Sequence, residues 1–294
     1  MKIINPRPFV PANITTSVTL TETLWTAGTS TLGQRRYVLP DYDLYEVVAA
    51  STTDDPVTGA ALSVPTWVKV GKVNKFAAFD NILGHAMTGT DLTVSIAPDG
   101  SVTNGLALFG ISATTASVTV TDPTDGVVYT RDLDLVDNSA VFDWGGYFFS
   151  PVIMKPDQVL VDIPLYGTAT VAIATTGAAQ IGEIVLGNVT TLGITGYGSQ
   201  VNILDFSRKD RDTFGNAILI QRAYADRVTY DGKLMTATVA WVRRVLAARR
   251  ATPTVYIGSE NHLGTVAFGF FRDFTITLSG PNVSDCTLEI EGLI

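Results

Sequence analysis

Short runs in which apolar and polar residues alternate cover most of the first 180 residues, and clusters of turn residues separate them. Alternation with a period of two predicts strands that bury one face. The predicted strands span residues 44–50, 67–70, 92–96, 106–111, 117–121, 127–132, 146–153, 158–163 and 168–174. Short strands at this spacing favour an antiparallel β-sandwich of the jelly-roll kind over residues 41–180.

The first 40 residues have a different pattern. Pro6, Pro8 and Pro11 favour extended backbone, and residues 14–20 then alternate as a half-buried strand would. Residues 1–40 are therefore predicted to form an N-terminal arm that leads into the first strand and reaches a neighbouring subunit.

The last part of the chain combines strands with one helix. Strands are predicted at residues 182–186, 201–206, 217–220, 223–230, 254–257, 265–271, 274–278 and 286–290. Residues 233–250 have a helical period and end at Thr252-Pro253, so they predict a single amphipathic helix. Its predicted core face contains Leu234, Met235, Thr238, Val239, Trp241, Val242, Val245 and Leu246, and its outer face contains Arg243, Arg244 and Arg250. The sequence thus predicts a mainly β protein whose C-terminal module, residues 181–294, carries one helix.

Charge is distributed unevenly and supports a boundary near residue 180. The formal net charge of −8 lies in residues 1–180, which hold 17 acidic and 9 basic side chains, against 11 of each in residues 181–294. The small residues 175–179 lie at this change and predict a flexible connection. Neither part is basic enough for a nucleic-acid-binding surface, so no nucleic-acid partner is expected.

Residues that could support catalysis or hold a cofactor are few. His85 and His262 are far apart and lack neighbours at metal-ligand spacing, so neither a metal nor another cofactor is expected. No nucleophile-elbow or phosphate-loop motif occurs. Paired carboxylates such as Asp132 with Asp134 leave a carbohydrate-active enzyme as an alternative, although solvated strand edges explain them as well. No apolar run reaches 18 residues, so membrane insertion is not expected.

Aromatic residues near turns suggest a carbohydrate ligand. Trp144 and Tyr147 flank Gly145-Gly146, and Trp67 precedes Asp80 by 13 residues in a second aromatic segment. Sugars stack on flat aromatic faces while carboxylates and amides bind their hydroxyls, so these four residues are candidate ligand-binding residues. The alternative is that the aromatic rings fill the sandwich core.

Basic residues of the C-terminal part form two groups. Arg208, Lys209 and Arg211 alternate with acidic residues, as in a solvated loop or a salt-bridged subunit interface. The second group, Arg243, Arg244 and Arg250, lies on the outer face of the predicted helix. Both groups are predicted to contribute to an assembly interface.

Two blocks of sequence resemble tail and baseplate proteins of tailed bacteriophages. The first block is Trp67-Val68-Lys69-Val70-Gly71-Lys72-Val73-Asn74-Lys75-Phe76-Ala77-Ala78-Phe79-Asp80. It is similar to a Trp…Gly…Asn-(Lys/Arg)-aromatic-Ala-Met-Phe-Asp block of phage tail and fibre proteins with carbohydrate-binding-like sandwiches. Ala78 stands where methionine is usual.

The second block is longer and more specific. It comprises Tyr197-Gly198, Asp205-Phe206-Ser207-Arg208-Lys209, Phe214-Gly215-Asn216, Arg222-Ala223-Tyr224-Ala225, Arg250-Ala251-Thr252-Pro253, Gly269-Phe270-Phe271-Arg272-Asp273-Phe274 and Cys286-Thr287-Leu288-Glu289-Ile290-Glu291-Gly292-Leu293. This order resembles the C-terminal part of siphophage distal-tail or upper-baseplate proteins. Together the two blocks cover about residues 60–294.

The resemblance implies a structural component of the virion. Such proteins form homo-oligomeric rings at the tail tip through side-to-side sheet contacts, and they connect the tail tube to the baseplate hub or fibres. They are assembled in the host cytoplasm and have no catalytic residues. A host-glycan-binding module of the same particle is the alternative, and a carbohydrate-active enzyme is a more distant one.

Overall fold

A computed structural model describes residues 1–139, 141–211, 213–260 and 262–294. The predicted fold class is confirmed: the chain is mainly β, with antiparallel sheets and few helices. Its first thirteen strands are β1 Lys2–Pro6, β2 Ile14–Thr16, β3 Ser30–Thr31, β4 Arg35–Val38, β5 Asp43–Val47, β6 Ser51–Thr52, β7 Trp67–Lys72, β8 Met87–Thr90, β9 Thr93–Ile96, β10 Gly105–Phe109, β11 Thr115–Asp122, β12 Gly126–Asp134 and β13 Val136–Asp137.

The second half continues the alternation of strands and turns. Its strands are β14 Ile153–Met154, β15 Gln158–Leu160, β16 Thr170–Thr175, β17 Ala178–Ile181, β18 Glu183–Thr191, β19 Ile194–Thr195, β20 Gln200–Asp205, β21 Arg208–Arg211, β22 Ala217–Ile220, β23 Tyr224–Met235, β24 Thr254–Ile257, β25 Val266–Thr277 and β26 Val283–Gly292. The helices are α1 Pro56–Ala60, α2 Trp144–Phe149 and α3 Val239–Ala248, with 3-10 turns at Pro11–Asn13, Asn74–Phe79, Thr236–Thr238 and Leu263–Thr265.

One large sheet organises the molecule. Its strand order is β15-β10-β18-β1-β24-β25-β26-β23-β19, and β20 also pairs with β23. β1 lies between β18 and β24, where Ile3 and Ile4 are both fully buried because each faces a different core. At the β1–β18 contact a Cβ on Gly187 would lie 1.8 Å from the Asn5 carbonyl oxygen, so only glycine fits this close approach.

A five-stranded sheet, β12-β11-β16-β9-β2, packs over the β10–β18 end of the large sheet. Alternate residues of its strands, such as Val118, Val120 and Ile173, are buried against Leu106 and Leu108 of β10. This arrangement is an antiparallel sandwich, as predicted, and the outer face of β11 carries the polar residues Ser117, Thr119 and Thr121.

The other end of the large sheet is covered by α3. Val242 and Leu246 of the helix are fully buried and contact a cluster that includes Tyr230, Leu234 and Leu288. Cys286 is buried in the same cluster, as a small apolar group.

The predicted helix limits are corrected. Residues 233–235 belong to β23, whose alternating burial places Leu234 in the sheet core, and α3 begins only at Val239. Two residues assigned to the core face of the helix lie outside it, because Met235 is 70% exposed and Trp241 is 41% exposed.

Two other predictions of local structure are also corrected. Of residues 146–153, predicted as a strand, residues 146–149 lie in α2 because Asp143 caps its first turn and accepts a hydrogen bond from Gly146 N at 2.5 Å, while Ile153 lies in β14. The start of the N-terminal arm is a central strand, β1. The division near residue 180 stays a prediction, and the large sheet takes strands from both sides of that residue.

Candidate assembly surface

The most exposed part of the C-terminal half is a hairpin formed by β21 and β22. Within the described residues these strands pair only with each other, in a register that joins Arg208 to Ile220 and Arg211 to Ala217. All four residues of β22 are exposed, so neither face of the hairpin is covered. We call residues 206–224 the arm. A two-stranded hairpin is marginally stable by itself, and this one exposes Leu219 by 72%.

The arm continues an open edge of the large sheet. β20 and β19 both pair with the same side of β23, and β20 has no second partner strand among the described residues. Apolar side chains are exposed along this edge: Ile194 by 75%, Val201 by 52% and Ile203 by 66%. An open strand edge that also presents apolar side chains is a site where proteins pair with another chain. We call β19, β20 and the arm the assembly edge.

The predicted basic residues of the arm are engaged locally. Lys209 Nζ lies 2.6 Å from Asp205 Oδ2, and this hydrogen bond holds the pKa of Asp205 far below its usual range. Arg208 forms an ion pair with Asp210, and Arg211 Nη1 donates to the Gly215 carbonyl oxygen at 3.3 Å. The arm holds four basic and two acidic side chains, so its surface combines exposed apolar residues with a small net positive charge, and Asp205 and Asp210 pair two of the cations.

The second predicted basic group lies on α3, a separate element. Arg243 and Arg244 are exposed and make no ion pair with any residue that the structure describes. Arg250 is also exposed, and its Nε donates to the Ala247 carbonyl oxygen at 3.0 Å. These cations remain available to a partner.

An apolar groove of about 360 Å³ lies where β19 meets the end of β23 and α3. Leu192, Ile194, Met235 and Trp241 line it. The exposed indole of Trp241 thus extends the apolar surface of the assembly edge toward the arginines of α3.

The predicted ligand residues are divided between surface and core. Trp144 and Tyr147 are 77% and 62% exposed on α2. Trp67 is fully buried beside Tyr45 and Val47, and its Nε1 donates to the Asp54 carbonyl oxygen at 3.1 Å. The prediction for Trp67 is therefore corrected, since no ligand reaches its ring in this structure.

Asp80 is likewise turned inward. Its side chain is 2% exposed and lies 2.5 Å from His85 Nδ1, while its carboxylate accepts hydrogen bonds from Lys72 N and Ile82 N. Gly71 lies against this pair, where a Cβ would come within 2.6 Å of the Asp80 carboxylate. Asp80 therefore closes a loop and does not present its carboxylate to a ligand.

Among the other described carboxylates, two pairs line a common cavity: Asp157 with Asp226, in a cavity of about 280 Å³, and Asp132 with Asp134, in a cavity of about 490 Å³. Asp132 and Asp134 are exposed on β12, and Glu289 pairs with Arg227. Burial raises the pKa of Glu183 well above its ordinary value, while Asn81 N donates to its carboxylate at 2.9 Å. Burial also raises the pKa of Asp157 to about 6, and the charge of Asp226 adds to this effect.

No family model, curated protein or solved structure matches the chain. Among the described residues, no helix is long and apolar enough to cross a membrane. In the same residues no three His, Cys, Asp or Glu side chains are grouped to hold a metal ion.

Sequence reasoning identified the cations of this surface and missed its apolar part. The run Ala217-Ile218-Leu219-Ile220 is predicted from sequence only as a strand; an apolar run of this kind is normally covered on both faces, and the structure exposes all four residues. The available signal was Gly215, which has a positive φ of 88° in the hairpin turn, between a charged strand and an apolar one. A hairpin with one charged strand cannot be buried on both faces.

Proposed function

We propose that the protein is a structural virion component of a bacteriophage tail tip or baseplate, which forms a ring and connects the tail tube to hub or fibre proteins. The resemblance in residues 60–294 motivates this proposal. The assembly edge is the observation that supports it best, because it leaves strand edges and apolar side chains uncovered in a single chain.

In this proposal the assembly edge of one subunit packs against a different surface of the next. Such head-to-tail contacts generate a ring when the rotation between subunits closes. The arm is suited to this role because Arg208 and Lys209 already pair with Asp210 and Asp205, so burying it does not leave these two cations unpaired. Arg243 and Arg244 then contact acidic groups of a partner at the rim of the interface.

The proposed role is structural and involves no reaction. Among the carboxylate pairs that lie close in sequence, Asp132 and Asp134 are exposed and Glu289 and Glu291 are ion-paired, which supports a protein that binds its neighbours instead of transforming a substrate.

Light scattering of the purified chain tests the proposal. We expect the wild type to form a discrete multimer, and Ile203→Asp with Leu219→Asp to yield a monomer with an unchanged circular dichroism spectrum. The matched control is Val127→Asp on β12, which introduces the same charge at a site whose exposure, 63%, is close to the 66% of Ile203. The proposal fails if the wild type stays monomeric at high concentration and binds no tail protein.

A further inference from the structure

The loop between β13 and β14 carries an apolar surface that the assembly edge does not use. Five aromatic side chains are exposed on it: Phe142 by 91%, Trp144 by 77%, Tyr147 by 62%, Phe148 by 68% and Phe149 by 88%. Val152 and Ile153 are also more than half exposed. We call residues 142–153 the aromatic tip.

The tip projects from a fixed base. Leu135, directly before β13, is fully buried, and Lys155 N donates to its carbonyl oxygen at 2.7 Å. β13 and β14 close the loop through the pairs Val136 with Met154 and Asp137 with Ile153. The exposed aromatic residues are therefore held at the end of an anchored hairpin.

The aromatic side chains also hold each other in place. The ring centroids of Trp144 and Phe148 are 6.2 Å apart and nearly parallel, while Tyr147 meets Phe148 edge-to-face at 5.2 Å. The rings therefore form a cluster before any partner arrives, which reduces the ordering cost of binding.

We propose that the aromatic tip inserts into the interfacial region of a phospholipid bilayer. Trp and Tyr favour this region because each has an apolar ring and a polar group, and phenylalanine favours the acyl chains below it. No charged residue lies between Asp143 and Lys155, so the tip enters the bilayer without burying an ion. The insertion is peripheral, since the tip is far too short to span the bilayer.

The aromatic tip has few polar side chains, which argues against a sugar or a protein as its partner. Sugar sites place hydrogen-bonding side chains beside the stacking ring, and protein interfaces need about one hydrogen bond per 100–200 Å². The one ionised side chain, Asp143, already caps α2 through Gly146 N. Apart from the Trp144 indole N–H and the Tyr147 and Ser150 hydroxyls, the segment 144–154 offers no polar side-chain group.

The negative charge of the protein determines which kind of lipid the aromatic tip can approach. Asp137 and Asp143 lie at the base and start of the tip, and the chain has a formal net charge of −8. An anionic membrane repels such a surface, so the structure assigns a zwitterionic bilayer as the partner.

The test is flotation of the full chain with phosphatidylcholine vesicles. We expect the wild type to float, and the double variant Phe148→Ser with Phe149→Ser to lose at least ten-fold in partitioning with an unchanged melting temperature. The matched control is Val64→Ser with Leu165→Ser, which removes two apolar side chains that are also exposed, by 79% and 63%, outside both surfaces and should float as the wild type does. Trp144→Phe should bind and lose most of the vesicle-induced blue shift in tryptophan emission.

Several results would overturn the proposal. The proposal is wrong if the wild type stays unbound at large lipid excess, or if Val64→Ser with Leu165→Ser reduces flotation as strongly as the tip variant. Flotation that requires phosphatidylglycerol would assign the contact to charge. If the tip variant instead abolishes self-association or polysaccharide binding without any vesicle binding, the tip contacts a second copy or a glycan.

Discussion

Asp157 gives a quantitative prediction about stability. The residue precedes β15, and its carboxylate lines a cavity of about 280 Å³ together with Leu83, Phe109 and Phe268. Gly110 N donates to it at 3.3 Å, which offsets only part of the cost of burial. Burial, with a smaller contribution from the charge of Asp226, raises its pKa from the ordinary 3.8 to about 6.

The sign of the pH dependence follows from these two values. Below about pH 4 the group is protonated in both the folded and the unfolded chain, so it does not affect the free energy of unfolding. Between about pH 4 and pH 6 the unfolded chain loses the proton first, and stability falls as pH rises. Above pH 6 the penalty is complete; at ~1.4 kcal/mol per pKa unit it reaches at most ~3 kcal/mol.

The variant Asp157→Asn tests this prediction, because it keeps the shape of the side chain and its acceptor oxygen and removes the buried charge. We expect this variant to be more stable than the wild type by ~1–3 kcal/mol near pH 7.5 and equally stable near pH 4. Urea unfolding across this range measures the difference, and Asp132→Asn on the exposed face of β12 is the control that changes the same formal charge. If the variant is less stable than the wild type near pH 7.5, the charge of Asp157 does not destabilise the folded chain.

Three further predictions concern packing. Leu246→Ala leaves a cavity under α3, where the side chain is fully buried, and should lower the free energy of unfolding by ~2–5 kcal/mol in urea titrations. Gly187→Ala places a Cβ 1.8 Å from the Asn5 carbonyl oxygen and should prevent soluble expression, whereas Gly84→Ala, with open space around it, should express normally. Tyr230→Phe removes a buried hydroxyl that donates to two carbonyl oxygens and should cost ~1–2 kcal/mol, measured in the same titrations.

The strands of the sandwich were predictable because one face of each strand is buried. In β11 the side chains of Val118 and Val120 alternate with Ser117 and Thr119, and the structure buries only the valines. β1 was not predictable on this basis. Its five residues contain only two that are fully buried, Ile3 and Ile4, and their neighbours in the sheet are 180 or more residues away in sequence.

The errors around the helices have a common cause. Leu234 and Val242 are both apolar residues of one long amphipathic segment, and a helical wheel does not reveal that the first belongs to a strand. The burial of Leu234 depends on pairing between β23 and β26, which is a long-range contact. The aromatic residues of α2 have a local preference for a strand. The N-terminal cap that Asp143 supplies stabilises a helix instead.

The candidate site was predictable in its charges and not in its apolar part. Arg208 and Arg243 are polar enough to be assigned to the surface from sequence alone. Trp67 was assigned to a ligand site and is buried, and the exposure of Leu219 was not predicted, because exposure depends on which sheet face a neighbouring element covers. Sequence patterns report the preference of a residue for burial, and the topology determines whether that burial is available in one chain.

Hydrogen exchange along β20 and the arm measures directly whether the assembly edge is the contact between subunits. Among the described residues, β20 pairs only with β23 and β22 only with β21, so the amides on the outer edges of residues 200–205 and 217–220 have no partner strand. When the protein concentration is raised through the point of self-association, we expect protection to increase in residues 200–220 while β12 exchanges unchanged. If a multimer forms and these amides exchange as fast as in the monomer, the assembly edge is not the contact and the account is contradicted.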